Sequence, residues 1–193
     1  MTERGQVVMV VALAVAVALP ATTDAQGTAE GEWRSYSADL RGTKYSPLVQ
    51  ITAGNFSELE VAWRWRTADS LLPYEREQGV SQVPAEVLFD LLEAEDPNRW
   101  VTRPSIGRLS ATPLMVDGVL YLVTPLYQGA AIDAETGETL WVHNPRVYEE
   151  GSPPLPAPWN HRGAAYWANG GNARIVWGTG DGFLTAVDAK TGL

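Results

Sequence analysis

The stretch AAIDAETGETLW, Ala130 to Trp141, returns as TAVDAKTGL at residues 185–193. Ala131, Asp133, Ala134, Thr136 and Gly137 recur as Ala186, Asp188, Ala189, Thr191 and Gly192, a constant spacing of 55 (186 − 131). At that spacing a counterpart of Trp141 would fall at 196, past Leu193, so the second copy is expected to break off inside its repeat. The residue types describe a task. An aspartate and a threonine three apart can hydrogen-bond the backbone of their own turn, and the glycine can adopt a positive φ. Small alanines leave room for a large neighbour. Trp141, four residues after its glycine, can lie across the next unit and donate its indole N–H.

The residues around each copy read as strands and tight turns. Ala111–Val116, the turn Asp117-Gly118 and Val119–Thr124 form a strong hairpin signal, because Asp-Gly supplies the positive φ angles of a two-residue turn. Strands near Ala130–Asp133 and Thr139–Val142 complete a four-stranded meander. A second meander is expected at Gly163–Trp167, Ala173–Trp177 and Phe183–Asp188, with its fourth strand missing. A four-stranded unit recurring every 40 to 55 residues with a fixed Gly and Trp is the signature of a β-propeller blade. Such a sheet cannot bury both faces alone, so each blade needs neighbours on both sides.

The remainder of the chain is less regular. Residues 1–25 carry Arg4, an apolar run from Val7 to Leu19 and a small-residue site ending at Ala25, which reads as a secretory signal peptide, with an uncleaved anchor as the alternative. Export normally invites disulfides, yet the chain has no cysteine. The net charge of −9, without Lys/Arg clusters, argues against nucleic acid as a partner. Residues 26–193 form the globular part. Within them LEVAWRWRT (59–67) alternates as a half-buried strand would, and residues 68–109 read as an insertion. A short helix is expected between Pro84 and Glu95, with Val87, Leu88, Leu91 and Leu92 as its apolar stripe.

The pattern A-x-D-A-x-T-G-x-x-x-W resembles the tryptophan-docking motif of the pyrroloquinoline quinone (PQQ) dependent dehydrogenases, eight-bladed periplasmic propellers. WRSYSADLRGTKYSPLVQIT (33–52), ATPLMVDGVLYLVTP (111–125) and HRGAAYWANGGNARIVWGTGDGFLTAVDAKTG (161–192) are similar to that family in the same order. The resemblance implies an all-β propeller of which these are the first blades. It implies PQQ near the axis with Ca²⁺ at the quinone, a small alcohol or sugar as substrate, and a quinone or cytochrome as electron acceptor. It assigns Arg162 to a PQQ oxygen or carboxylate. The chemistry suits this, because a planar guanidinium fork binds carboxylates at two points.

Ser110 stands where many members place a glutamate, and can hydrogen-bond an acid group without supplying charge. Pro156 and Ala157 stand where many carry a vicinal cysteine pair; its replacement resembles the glucose-dehydrogenase branch more than the methanol branch, which uses the disulfide ring. His161 is either a wall of the same site or an exposed linker residue. The catalytic aspartate and the calcium ligands are expected beyond residue 193, so this stretch alone should be inactive. Asp181, in a glycine turn, and His143, without ligand-spaced neighbours, read as structural. Two other readings stay open: a non-catalytic propeller of PQQ-like repeats serving as an assembly scaffold, and a short product that has lost cofactor binding.

Overall fold

The computed structural model describes residues 31–39, 41–150, 159 and 161–193; residues 1–25, Pro156 and Ala157, on which the leader and cysteine-pair readings fall, lie outside them. From Leu114 onward the architecture is the expected one. Strands β3 (Leu114–Val116), β4 (Val119–Val123), β5 (Gly129–Asp133) and β6 (Thr139–His143) form an antiparallel meander in sequence order. Strands β7 (Ala165–Asn169), β8 (Asn172–Gly178) and β9 (Leu184–Asp188) form a second, three-stranded meander. Asp117 (φ 49°) and Gly118 (φ 77°) make the turn between β3 and β4, and Gly170 (φ 56°) and Gly171 (φ 87°) do the same between β7 and β8.

The period of two along β4 decides the packing. Val119, Tyr121 and Val123 face the second sheet, where Ile175, Trp177 and Val187 meet them. Leu120 and Leu122 point the other way and join Ala130 and Ile132 beneath Trp63 and Trp65. The first sheet is thus covered on both faces, as a blade between neighbours must be. Fully buried side chains of this size each contribute on the order of 1.5–3 kcal/mol by leaving water.

The repeated phrase performs the same local task twice. Asp133 Oδ1 accepts from the backbone N–H of Glu135 and Thr136 and from the Thr136 hydroxyl; Asp188 Oδ1 accepts equivalently from Lys190 and Thr191. Hydrogen bonds from the threonine, largest from its backbone N–H, hold both carboxyls below the usual range. Over the first turn lies Trp63, donating Nε1–H to Ala134 O at 3.1 Å; over the second lies Trp141, donating to Ala189 O at 2.9 Å. Each indole rests on the glycine of the turn: a Cβ on Gly137 would come within 2.6 Å of Trp63, and one on Gly192 within 2.7 Å of Trp141.

Three details differ from the sequence reading. The alternation expected over 59–67 holds only from Trp63, with Trp63, Trp65 and Thr67 inward; Leu59 and Val61 are exposed, and the segment forms no ladder among the described residues. Their ties run through side chains instead, Trp65 Nε1 donating to Thr139 Oγ1 at 2.9 Å. Within 68–109 an unforeseen hairpin, β1 (Leu71–Arg76) and β2 (Gly79–Pro84), precedes the expected helix α1 (Ala85–Glu95). Pro73 and Pro84 obscure it, yet proline is tolerated in a two-stranded sheet whose outer edges need no partner. Finally, the buried stripe of α1 is Ala85, Leu88, Phe89 and Leu92, while Val87 is exposed. The i, i+3, i+4, i+7 spacing that Phe89 completes is the one that points at a core.

The hairpin and helix close a third core with Leu126, Tyr127, Val147, Tyr148 and Trp159. At its centre Asp69 is wholly buried. Its carboxylate accepts from Thr124 Oγ1 (2.6 Å), Gln128 Nε2 (2.7 Å) and Leu126 N–H (3.1 Å), fastening the start of the hairpin to the β4–β5 loop.

Gly137→Ala is expected to cost roughly 2–4 kcal/mol, the left-handed backbone penalty plus overpacking against Trp63. Gly171→Ala, in an open turn with nothing within 4 Å of a new Cβ, should cost only about 1 kcal/mol. Urea denaturation of the two variants reads the difference; equal losses would show that the indole contact contributes nothing.

Candidate functional site

The residues nominated from sequence converge on the lead-ins to β3 and β7. Thr112 N–H donates to Arg162 O at 3.0 Å, joining the two lead-ins side by side. Ser110 lies two residues before that bond. Its hydroxyl donates to Arg108 O at 3.3 Å and keeps its lone pairs available as acceptors. Ser110 lines a cavity of about 300 Å³ with Thr102, Ser105, Gly107, Arg108 and Trp159. Arg162 does not line that cavity. It is exposed, and no described residue forms a hydrogen bond or ion pair with its guanidinium. The structure therefore places Ser110 and Arg162 on adjacent lead-ins, with Ser110 alone in the cavity.

His161 is fixed. Gly163 N–H donates to Nδ1 at 3.1 Å, so Nδ1 is the acceptor and the ring proton sits on Nε2, which donates to Gly178 O at 3.0 Å. The ring meets Tyr127 edge-on, centroids 5.8 Å apart at 84°. Burial pushes its pKa down, which keeps the imidazole neutral near pH 7. Nε2 thus ties the Arg162 lead-in to β8 while Nδ1 fixes the lead-in's own Gly163, a support role the sequence left open.

Asp181 and His143 keep the structural roles assigned to them. Thr179 and Phe183 donate to the Asp181 carboxylate within one turn, and His143 Nδ1 lies 3.0 Å from Gly192 O with its ring edge-on to Trp177. Among the described residues no group of three His, Cys, Asp or Glu is placed to hold a metal ion.

Several contributors to this region were missed. Tyr127 adopts φ 64°, its ring packs on Trp159 at 5.8 Å, and its carbonyl accepts from Trp177 Nε1 at 3.0 Å. Trp63 repeats the role of Trp141, and the similarity of VAWRW to TLWVH was the available signal. Asp69 had none: one acid between an alanine and a serine looks like any turn residue until the loop folds over it.

A four-stranded and a three-stranded meander stacked face to face, with Trp63 on the turn of the first and Trp141 of the first on the turn of the second, have the arrangement of successive β-propeller blades. The chain belongs to the PQQ-dependent glucose/ethanol/alcohol dehydrogenases: the family model for their β-propeller domain matches residues 33–193. It is 33% identical over 171 residues to the dehydrogenase subunit of the quinone alcohol dehydrogenase of Gluconobacter oxydans, covering 89% of this chain and 17% of that one. It is 31% identical over 164 residues to the 1-butanol dehydrogenase (cytochrome c) of Thauera butanivorans, covering 85% and 18%. The crystal structure of the quinohemoprotein alcohol dehydrogenase from Comamonas testosteroni superposes with a TM-score of 0.54 at 25% identity, covering 83% of this chain and 18% of that one. The chain thus spans about a fifth of the length of the relatives it matches.

The donor set fits part of such a cofactor. PQQ carries carboxylates and quinone oxygens, and an exposed guanidinium without a competing acid among the described residues is suited to receive them. Ser110 adds a neutral hydroxyl on the adjacent lead-in.

Neutral His161 has a pH consequence. The unfolded chain protonates this ring near pH 6.5 while the folded ring resists, so below about 6.5 the unfolded state binds more protons. The stability contributed is full above that pH and declines as pH falls beneath it. Urea midpoints at pH 7.5 and 5.5 should drop more for the native protein than for His161→Gln; parallel drops would contradict the assignment.

Proposed function

We propose that this chain is the N-terminal portion of an exported PQQ-dependent dehydrogenase that oxidises an alcohol, or the C1 hydroxyl of an aldose, and passes electrons to a quinone or a cytochrome. The observation that carries the reading is Arg162: a guanidinium left without an acid among the described residues, on a lead-in fixed by the Thr112 bond and by His161, within a chain of the PQQ family. A permanently charged planar fork held this way has an anionic partner as its natural use. When bound, PQQ supplies the two-electron oxidation of the CH–OH group. Arg162 would hold one of its acidic groups. Ser110 would accept or donate a hydrogen bond nearby without adding charge, so the site relies on arginine more heavily than one with a glutamate there.

Calcium would take its ligands from residues other than those described, since none of these cluster as an oxygen cage requires. Export to the periplasm is supported by the leader-like composition of residues 1–25. The names of the relatives, one quinone-linked and one cytochrome c-linked, support the two acceptor classes. The docking of Trp63 and Trp141 on the repeat turns supports reading the repeated phrase as the family's tryptophan-docking motif.

In the complete protein, Arg162→Ala should weaken PQQ binding at least about tenfold, the worth of one hydrogen bond to a charged group. Arg162→Lys, which keeps the charge and loses the fork, should fall between, and Ser110→Ala should change affinity less than about threefold. Fluorescence titration with PQQ reads all three. Unchanged affinity in Arg162→Ala would remove the assignment, and no PQQ binding by the native protein would favour the scaffold reading.

A further inference from the structure

We infer that Asp69 is a positioning residue for the proposed cofactor-binding lead-in His161–Gly163, acting through the β4–β5 loop and the ring of Tyr127. The inference rests on the reading of Arg162 above, although its first half concerns His161 alone.

A wholly buried carboxylate is an expensive way to tie two loops, because its desolvation is repaid only if the hydrogen bonds are well made. Here no described cation pairs with it, and three donors converge on it instead. All three come from one five-residue loop, Thr124–Gln128. That loop also closes on itself: Thr124 N–H donates to Gln128 O at 2.9 Å, Tyr127 N–H to Thr124 O at 3.0 Å, and Gln128 N–H to Thr124 Oγ1 at 3.1 Å. The result forces Tyr127 into the left-handed region, which a bulky residue occupies only when its surroundings demand it.

What that backbone strain achieves is the direction of the ring. Tyr127 is turned toward Trp159 on one side and His161 on the other, and its hydroxyl oxygen lies 2.7 Å from where a Cβ on Gly180 would stand. Its carbonyl is set to receive Trp177. The side of His161 facing the loop is therefore an aromatic edge placed by Asp69, while the histidine nitrogens hold Gly163 and Gly178. A stability requirement alone would be met by an apolar residue at 69, as buried charges are often replaceable by well-packed hydrophobic groups. A carboxylate with three directed bonds fixes one loop geometry.

Asp69→Asn in the complete protein keeps shape but removes one acceptor: with the amide oxygen on Leu126 N–H the Thr124 hydroxyl loses the oxygen it donates to, and with the amide reversed the Leu126 N–H does. Leu88→Ala, on α1 in the same core, is the control for general loosening. His161 titration followed by NMR and PQQ affinity followed by fluorescence are the readouts.

Asp69→Asn should move His161 back toward its ordinary pKa of about 6.5 and weaken PQQ binding about tenfold, with both effects absent in Leu88→Ala. An unchanged His161 titration in Asp69→Asn, or an equal shift in Leu88→Ala, overturns the inference. If His161 shifts in Asp69→Asn while both it and Arg162→Ala leave PQQ affinity untouched, the cofactor reading of Arg162 fails and the positioning of His161 stands. If Arg162→Ala weakens binding and Asp69→Asn does not, the link from Asp69 to the cofactor site is overturned.

Discussion

An indole laid on a glycine turn is the contact on which this architecture depends. Trp63 and Trp141 each cover the turn of the following sheet, donate Nε1–H to an alanine carbonyl, and exclude any side chain at Gly137 or Gly192. The contact fixes the spacing of successive sheets by hydrogen-bond length and the angle by ring contact. The aromatic residues between the sheets then meet in register rather than sliding, Tyr121 on Tyr166 and Trp177 on His143. A sheet with two hydrophobic faces is unstable alone in water, and the contact that orders the blades also covers the faces between them.

The second organising element is the unit formed by residues 68–100. Its hairpin and helix do not extend the blades; they build a separate core against the β4–β5 loop and against Trp159. Buried Asp69 connects that core to the loop, and Tyr127 connects the loop to His161. The support for the proposed site thus comes from outside the repeats, while the repeats position the lead-ins that carry Ser110 and Arg162. This division suits a scaffold whose repeats are occupied with holding one another.

Much of this was legible in the residues. The Asp-Gly and Gly-Gly turns announced their hairpins, because only certain residues accept positive φ at low cost. The 55-residue repeat announced stacked sheets, and the run between Pro84 and Glu95 its helix. The hairpin at 71–84 was hidden by its prolines. The exposed face of Val87 was invisible because apolar residues at neighbouring positions satisfy more than one stripe. Asp69 and Tyr127 carried no local signal at all: a buried acid is recognised by what closes over it, and a left-handed tyrosine by the loop that compels it.

The sequence by itself determined the repeat, its turns, the family and the residue proposed to meet the cofactor, since these rest on local backbone preferences and on a pattern repeated at fixed spacing. Only the tertiary structure decided that Trp63 serves as Trp141 does, that His161 is a neutral support with both nitrogens engaged, and that Ser110 and Arg162 lie on adjacent lead-ins but not in one cavity. Those outcomes depend mainly on contacts between residues 17 to 71 positions apart, and the geometry of such contacts is set by the packing of whole sheets.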